Sequence, residues 1–227
     1  ETRNPRYLDS AWSFLKTMWD KGLLYEDLRV IPICPRCETA LSSHEVALGS
    51  TVVKDPSLYF KLKLVDEENT YMIAWTTTPW TIIANEALAV HPDEYYVKVK
   101  VKGEYWIIAE KRLEHVFKEM NITSYEVIAK FKGKDLLGKK YKHPLLEEVP
   151  AHKEHSGKYE HAVIVADWVS MEEGTGIVHM APAHGPEDFE EARKYGIRVF
   201  NPLAKNGYFT ELAGKYAGLW FKDASKQ

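Results

Sequence analysis

Cysteine is nearly absent: Cys34 and Cys37 are the only two in 227 residues. A secreted framework stapled by several bridges is therefore excluded, and a reducing cytoplasm is the expected compartment. No apolar run approaches the ~20 residues that a spanning helix needs, so no membrane segment is expected. The start, Glu1-Thr2-Arg3-Asn4-Pro5, lacks the charged-then-apolar layout of a secretory leader. Both ends read as cut from a longer chain, since Glu1 is not a start residue and Phe221-Lys222-Asp223-Ala224 looks like the beginning of another element. An excess of basic residues is also missing. Lys and Arg total 30 against 33 Asp and Glu, a net charge of −3. That argues against a module held tightly by many phosphate contacts, but not against one that meets RNA only at the end of a strand.

Several catalytic signatures are missing too. The chain has no Gly-x-x-x-x-Gly-Lys-Ser/Thr phosphate loop and no Gly-x-Ser-x-Gly elbow. Gly174-Thr175-Gly176 lacks the third glycine of a dinucleotide fingerprint, and Leu48 stands where a zincin would carry its second histidine after His44-Glu45. Cys34 and Cys37 share one knuckle and make poor nucleophiles. An enzyme on this chain is expected to use a positioned water and no covalent protein intermediate.

What is present is ordinary globular composition, 45% hydrophobic, with seven Trp and thirteen Tyr that suit rigid pocket walls. Residues 5 to about 21 read as a helix, capped by Asn4, started by Pro5 and ended by Gly22. Tyr7, Ala11, Leu15 and Trp19 form one apolar stripe, which reads as a packing face. Residues 28–33 read as a short strand leading into Cys34-Pro35-Arg36-Cys37, a knuckle that suits two thiolates of a tetrahedral zinc. A closed site needs four ligands, and His44 is the nearest other candidate. From residue 51 the texture turns to β. Strands are expected over 58–65, 70–75, 95–101, 105–109, 124–131, 162–166, 177–180 and 197–200, with helices at 110–119 and 186–195. The implied fold class is α+β, a curved or barrel-like mixed sheet. Residues 1–46 read as a connecting helix and C-x-x-C arm, and 47–227 as the main domain. Lys130, Lys132, Lys134, Lys139, Lys140 and Lys142 form a solvated charged loop or, alternatively, a phosphate-contacting patch.

Two stretches concentrate polar chemistry. In Trp75-Thr76-Thr77-Thr78-Pro79-Trp80-Thr81 a strand ends at Pro79, which cannot extend a central ladder. The Thr76, Thr77 and Thr78 hydroxyls then face a cleft, where each can hold a ribose hydroxyl or a water. Trp80 offers a flat wall and Asn85 a two-way polar group. In Gly174 through Phe189, His179 ends a strand, Gly185-Pro186 starts a helix, and Asp188 falls in its first turn. Asp188 either stabilises that helix dipole or receives a cationic amine. Likewise His179 is either a satisfied core histidine or a pocket wall, and the Thr run reflects either strand propensity or function.

These stretches, with Cys34-Pro35-Arg36-Cys37-Glu38-Thr39-Ala40-Leu41 and Ala84-Asn85, resemble the editing (CP1) domains of isoleucyl-tRNA synthetases over essentially the whole chain. Thr77-Thr78-Pro79-Trp80 favours the isoleucyl branch, since leucyl and valyl relatives carry Thr-Arg-Pro there. Ile82-Ile83 departs from the Leu-Pro of the family pattern. The His-Ile-Gly-His and Lys-Met-Ser-Lys-Ser motifs of the aminoacylation core do not occur.

The resemblance implies a β-barrel-like editing domain of class I aminoacyl-tRNA synthetases. Its implied activity is hydrolysis of valine wrongly esterified to tRNA(Ile). Asp188 would bind the α-ammonium, and Thr76, Thr77 and Thr78 would hold the terminal adenosine and the attacking water. His179 and Trp80 would bound the side-chain pocket, and Asn85 would support the loop as part of the substrate site. It implies no cofactor for editing. Cys34 and Cys37 would be half of a structural zinc site completed elsewhere in the full-length enzyme. The expected partners are the tRNA acceptor end, its valyl-adenosine moiety and the rest of the synthetase chain, on a monomeric cytoplasmic protein. The competing expectation is a non-catalytic tRNA-binding or zinc-knuckle module built on the lysine stretch and the C-x-x-C.

Overall fold

The computed structural model describes residues 1–154 and 157–226. Helix α1 spans Pro5–Asp20, with the Asn4 side chain accepting from the Arg6 amide and Pro at its start. Its end passes into Gly22 at φ 68°. The helix is where the sequence places it, but its apolar stripe is not inward. Tyr7, Leu15 and Trp19 are exposed, and no residue among the first 57 is buried. The stripe lacks a core to pack on within this stretch. The arm continues through a ribbon of β1 (Ile33–Cys34) and β2 (Thr39–Ala40), then helix α2 (Ser43–Leu48), closed by a Ser42–Glu45 capping box. The strand expected over 28–33 is therefore only the pair at its end. Asp27 ties the arm to the body through Arg193 at 2.7 Å.

The body begins at β3 (Leu58–Leu64), where Leu62 and Leu64 turn in and Lys61 and Lys63 turn out. It continues with β4 (Thr70–Thr76), β5 (Ala87–Val90), β6 (Tyr95–Val101), β7 (Glu104–Ala109), helix α3 (Leu113–Glu119) and β8 (Glu126–Lys132). Then come β9 (Tyr141–Lys142), β10 (Ala162–Val165), β11 (Ile177–Met180), helix α4 (Pro186–Tyr195) and helix α5 (Phe221–Ala224). Lys102 and Gly103 both take positive φ, 50° and 87°, in the tight turn that joins β6 to β7. The strand expected over 197–200 carries no ladder in the structure.

One mixed sheet organises these strands. Its main part runs β10–β5–β11–β4–β3–β9. A Lys140–Ala162 bridge, with the Tyr141 amide on the His161 carbonyl at 2.9 Å, returns β9 to β10 and closes a small barrel. Leu62, Met72, Leu88, Ile107, Val163 and Ile177 pack together in the core. The first half of β4 pairs instead with β7, so β7–β6–β8 branches off as a flap whose other face is covered by α3 through Leu113, Val116 and Phe117. Helix α4 covers β5, β10 and β11 with Ala192.

Two features of this sheet place the site. First, β11 lies parallel to β4, with Val178 opposite Trp75, so both strands finish on the same rim and Thr76 comes beside His179. Second, the flap grips the Gly174–Gly176 turn. The Tyr96 hydroxyl donates to the Gly176 carbonyl at 2.7 Å, the Ala109 amide to the Thr175 carbonyl at 3.1 Å, and the Arg112 guanidinium to the Gly174 carbonyl at 2.9 Å. Gly176 sits at φ +70°, and a Cβ there would stand 2.4 Å from the Ala109 methyl. Gly176→Ala should therefore cost about 2–4 kcal/mol from left-handed backbone plus overpacking. A denaturation midpoint equal to wild type would refute this packing.

Candidate active site

The rim of the barrel holds a cleft of about 440 Å³. One wall is Trp75, Thr76, Thr77 and Thr78; the other is Gly174 to His179, with Asp188 closing the far end. Stretches separated by about a hundred residues thus share one cavity. The three threonines are not equivalent. Thr76 is 5% exposed, and its Oγ1 accepts the Thr78 amide at 3.0 Å, which folds the chain back after β4. Thr77 and Thr78 remain exposed on the cleft.

Behind them Pro79–Ala84 forms a 3-10 turn. Thr81 projects from it and donates to the Thr78 carbonyl at 2.7 Å. Its Oγ1 also lies 2.8 Å from Nε2 of His179, while Nδ1 of His179 lies 3.0 Å from Nδ2 of Asn85. The proton positions follow from the partners. Asn85 Nδ2 donates to the Ala87 carbonyl at 3.0 Å, and its Oδ1 accepts from the Tyr141 hydroxyl, so the amide orientation is fixed. Nδ1 of His179 must accept, and Nε2 carries the hydrogen toward Thr81. Burial, with a smaller contribution from His184, pushes His179 down to about 4, so the ring is neutral at physiological pH. Phe60 packs edge-on against it at 5.9 Å.

Asp188 stands in the first turn of α4, and its Oδ2 accepts the Ala181 amide at 2.8 Å. Gly185 makes room for it, since a Cβ there would lie 2.9 Å from the carboxyl carbon. Burial pushes Asp188 up to about 6, with the Ala181 hydrogen bond opposing and Glu187 adding. A cation brought beside this carboxyl would favour its ionised form. His184, also lowered to about 4 by burial, lines the same end.

Two expectations about site residues need correction. Trp80 does not line this cleft. The 3-10 turn carries it to the base of the molecule, where it packs edge-on with His184 and Phe221, each at 5.0 Å. Asn85 is fully buried and touches the site only through His179, so it positions the imidazole and does not present itself to a ligand. Residues that the sequence reading left without a role are Thr81, His184 and the wall from Trp168 through Ser170 to Glu173. A tryptophan, Trp168, in the acidic segment just before Gly174-Thr175-Gly176 was the available signal.

Three lysines of the stretch are engaged elsewhere. Lys130 pairs with Glu110 at 2.7 Å, Lys139 with Glu67 at 2.6 Å, and Lys140 donates to the Gly157 and Glu160 carbonyls. In the knuckle, the Arg36 and Cys37 amides donate to Cys34 and hold its thiol below the ordinary range, while Cys37 is raised by its bond to Cys34. That suits two ligands of a zinc site. Among the described residues neither His44 nor any other His, Cys, Asp or Glu gathers with the pair. Among the described residues no helix is long and apolar enough to cross a membrane.

The model of the family described as tRNA synthetases class I (I, L, M and V) matches residues 1–177. The isoleucine–tRNA ligase of Pyrococcus abyssi is 50% identical over 224 residues, covering 96% of this chain and 21% of its own length. The chain thus spans about a fifth of such relatives. Among solved structures, GlLeuRS-CP1 superposes with a TM-score of 0.56 at 19% identity over 75% of this chain and 92% of its own. The Plasmodium knowlesi cytosolic leucyl-tRNA synthetase editing domain gives 0.52 at 14% identity, over 75% and 90%. At such identities the likeness is one of fold.

A carboxylate raised by burial lowers the stability of the ionised fold. The protonated form is favoured below the unfolded value of 3.8, and that advantage is lost as pH rises through about 6. Asp188→Asn should therefore melt above wild type at pH 8, by about 1–2 kcal/mol after allowance for partial solvent screening, and match it at pH 3. Thermal melts at the two pH values check this; equal stability at both would remove the burial cost assigned to Asp188.

Proposed function

This chain belongs to the class I tRNA synthetases, and on that footing we propose that it is a proofreading module that hydrolyses valine mischarged on tRNA(Ile). The observation that carries the reading is the meeting of Thr77, Thr78, His179 and Asp188 around one cleft. Its need is physical: a synthetic pocket for isoleucine cannot strongly reject a side chain one methylene smaller, a limit for which these two amino acids are the standard example. A second cavity must then destroy the smaller product.

In this reading the aminoacyl ester enters with its α-ammonium against Asp188. The cation keeps that carboxyl ionised and adds a charge-assisted hydrogen bond. Thr77 and Thr78 hold the terminal adenosine and the water that attacks the ester carbonyl, and the ribose hydroxyl leaves. Thr76, expected to hold the substrate beside them, reaches the cleft only at its edge, and in this reading it braces the turn that aims the other two. His179, neutral and held at both nitrogens, walls the side-chain pocket and makes an isoleucyl side chain too long. The wall of Trp75 and Ile177 supplies apolar surface. The tRNA partner and the cytoplasmic setting belong to the same proposal. The alternative of a lysine-based RNA module is less favoured, because Lys130, Lys139 and Lys140 already have partners.

Valyl-tRNA(Ile) should be deacylated by the purified chain and isoleucyl-tRNA(Ile) spared. Asp188→Ala should lower kcat/KM for the valyl ester about 10–100-fold, the worth of one charged hydrogen bond. N-acetyl-valyl-tRNA, which has no ammonium, should resist the wild-type chain. Equal hydrolysis of acetylated and free esters would sink the assignment of Asp188. In a separate assay, His179→Ala should open the pocket to the isoleucyl ester; unchanged selectivity would place the size filter elsewhere.

A further inference from the structure

A second polar cluster lies on the opposite flank of β5. His143, His152 and His161 each bring one ring nitrogen within 4.8 Å of the others. Glu86, fully buried, places Oε1 3.9 Å from Nδ1 of His152. None of these groups enters the chemistry proposed for the cleft. From their geometry we infer that His143, His152, His161 and Glu86 form a structural site for a divalent transition-metal ion, zinc in the first instance.

The donor arrangement carries this. Nε2 of His152 faces the Ile83 carbonyl at 2.8 Å. A carbonyl only accepts, so the hydrogen of His152 is on Nε2 and its Nδ1 lone pair points into the cluster. Metal-bound histidines characteristically anchor their other nitrogen in this way. Nε2 of His161 lies 3.2 Å from that Nδ1. Two ligands on a tetrahedral zinc, with bonds of about 2.0–2.1 Å, stand roughly 3.4 Å apart. The two nitrogens already have nearly that separation. A proton shift from Nε2 to Nδ1 of His161 would free the second lone pair without net proton release. Glu86 supplies an anionic oxygen, which offsets part of the cost of bringing a dication into a buried place. His143 lies flat on His152, with ring centroids 3.8 Å apart, and its Nδ1 accepts the Leu145 amide at 3.1 Å, so it must both tilt and release that bond to join as the fourth donor.

Access exists, because the three histidines line a solvent-reaching cavity of about 540 Å³. Lys63, Lys142 and Lys153 stand at its mouth and oppose a cation there. Lys153, however, is paired with Glu147 at 2.6 Å. An ion held by four donors would tie together the loop after β9, the Pro150–Glu154 turn, the start of β10 and the start of β5. Asn85 directly precedes Glu86, so the ion would also stiffen the strand that positions His179. Borderline imidazole donors with one carboxylate favour zinc over the oxygen-seeking magnesium or calcium.

The test must separate this site from the cysteine knuckle. In a Cys34→Ser/Cys37→Ser chain, purified without chelator, we expect about one equivalent of bound zinc per chain. Cobalt(II) substituted into it should show tetrahedral visible bands without thiolate charge transfer. Removing metal with EDTA should lower Tm, and zinc should restore it. His161 has φ +48°, so His161→Asn keeps a residue that tolerates this backbone while removing the imidazole. That variant, and His152→Gln beside it, should lose the metal and the zinc-dependent Tm rise. If the cysteine-free chain binds neither zinc nor cobalt, the site does not exist. If folded His161→Asn and His152→Gln chains bind metal as wild type does, the ligands are wrong and the inference falls.

Discussion

The structure depends on one buried imidazole. His179 lies near the end of β11, Thr81 follows the end of β4, and Asn85 precedes β5; the ring hydrogen-bonds to both neighbours. Without these bonds the two ring nitrogens of His179 would go unmet in a nearly dry interior, at about 1–3 kcal/mol for each unmet group. With them, three chain segments are locked at one corner of the barrel. The Thr76–Thr78 turn then has a fixed direction. The low proton affinity of His179 belongs to the same device. A charged ring would need an acceptor on Nδ1, where Asn85 offers a donor.

On the other side of the cleft the balance differs. Asp188 gives one oxygen to the Ala181 amide, and burial still makes its charge costly. Such a group weakens the protein at neutral pH, and under the proposed function the substrate ammonium would relieve that cost. Stability given up at a receptor is a common feature of functional sites. Under the proposed function the neutral His179 and the raised Asp188 complement each other: the first would contribute shape without charge, the second a charge satisfied on binding.

Much of this was legible in the sequence, for identifiable reasons. The alternation in 58–64, the Gly103 turn and the Pro186 start are local signals, and each element formed where local chemistry puts it. Pro79 correctly ended β4. The shared cleft also followed, though only through a family resemblance; composition and spacing left Asp188 and His179 ambiguous. What sequence could not carry was direction. Trp80 is the second residue of the 3-10 turn, whose pitch sends it away from the cleft. The stripe of α1 has the period of a packing helix, but among the described residues nothing buries it. The parallel pairing of β4 with β11 joins residues far apart in the chain, and no local pattern encodes it.

The most direct test is the protonation state of one ring, read by nitrogen NMR of uniformly labelled protein. The account predicts that His179 is neutral at pH 6, carries its hydrogen on Nε2, and titrates only near pH 4. A hydrogen on Nδ1, or a ring already charged at pH 6, would contradict the bonding on which the geometry of the cleft rests.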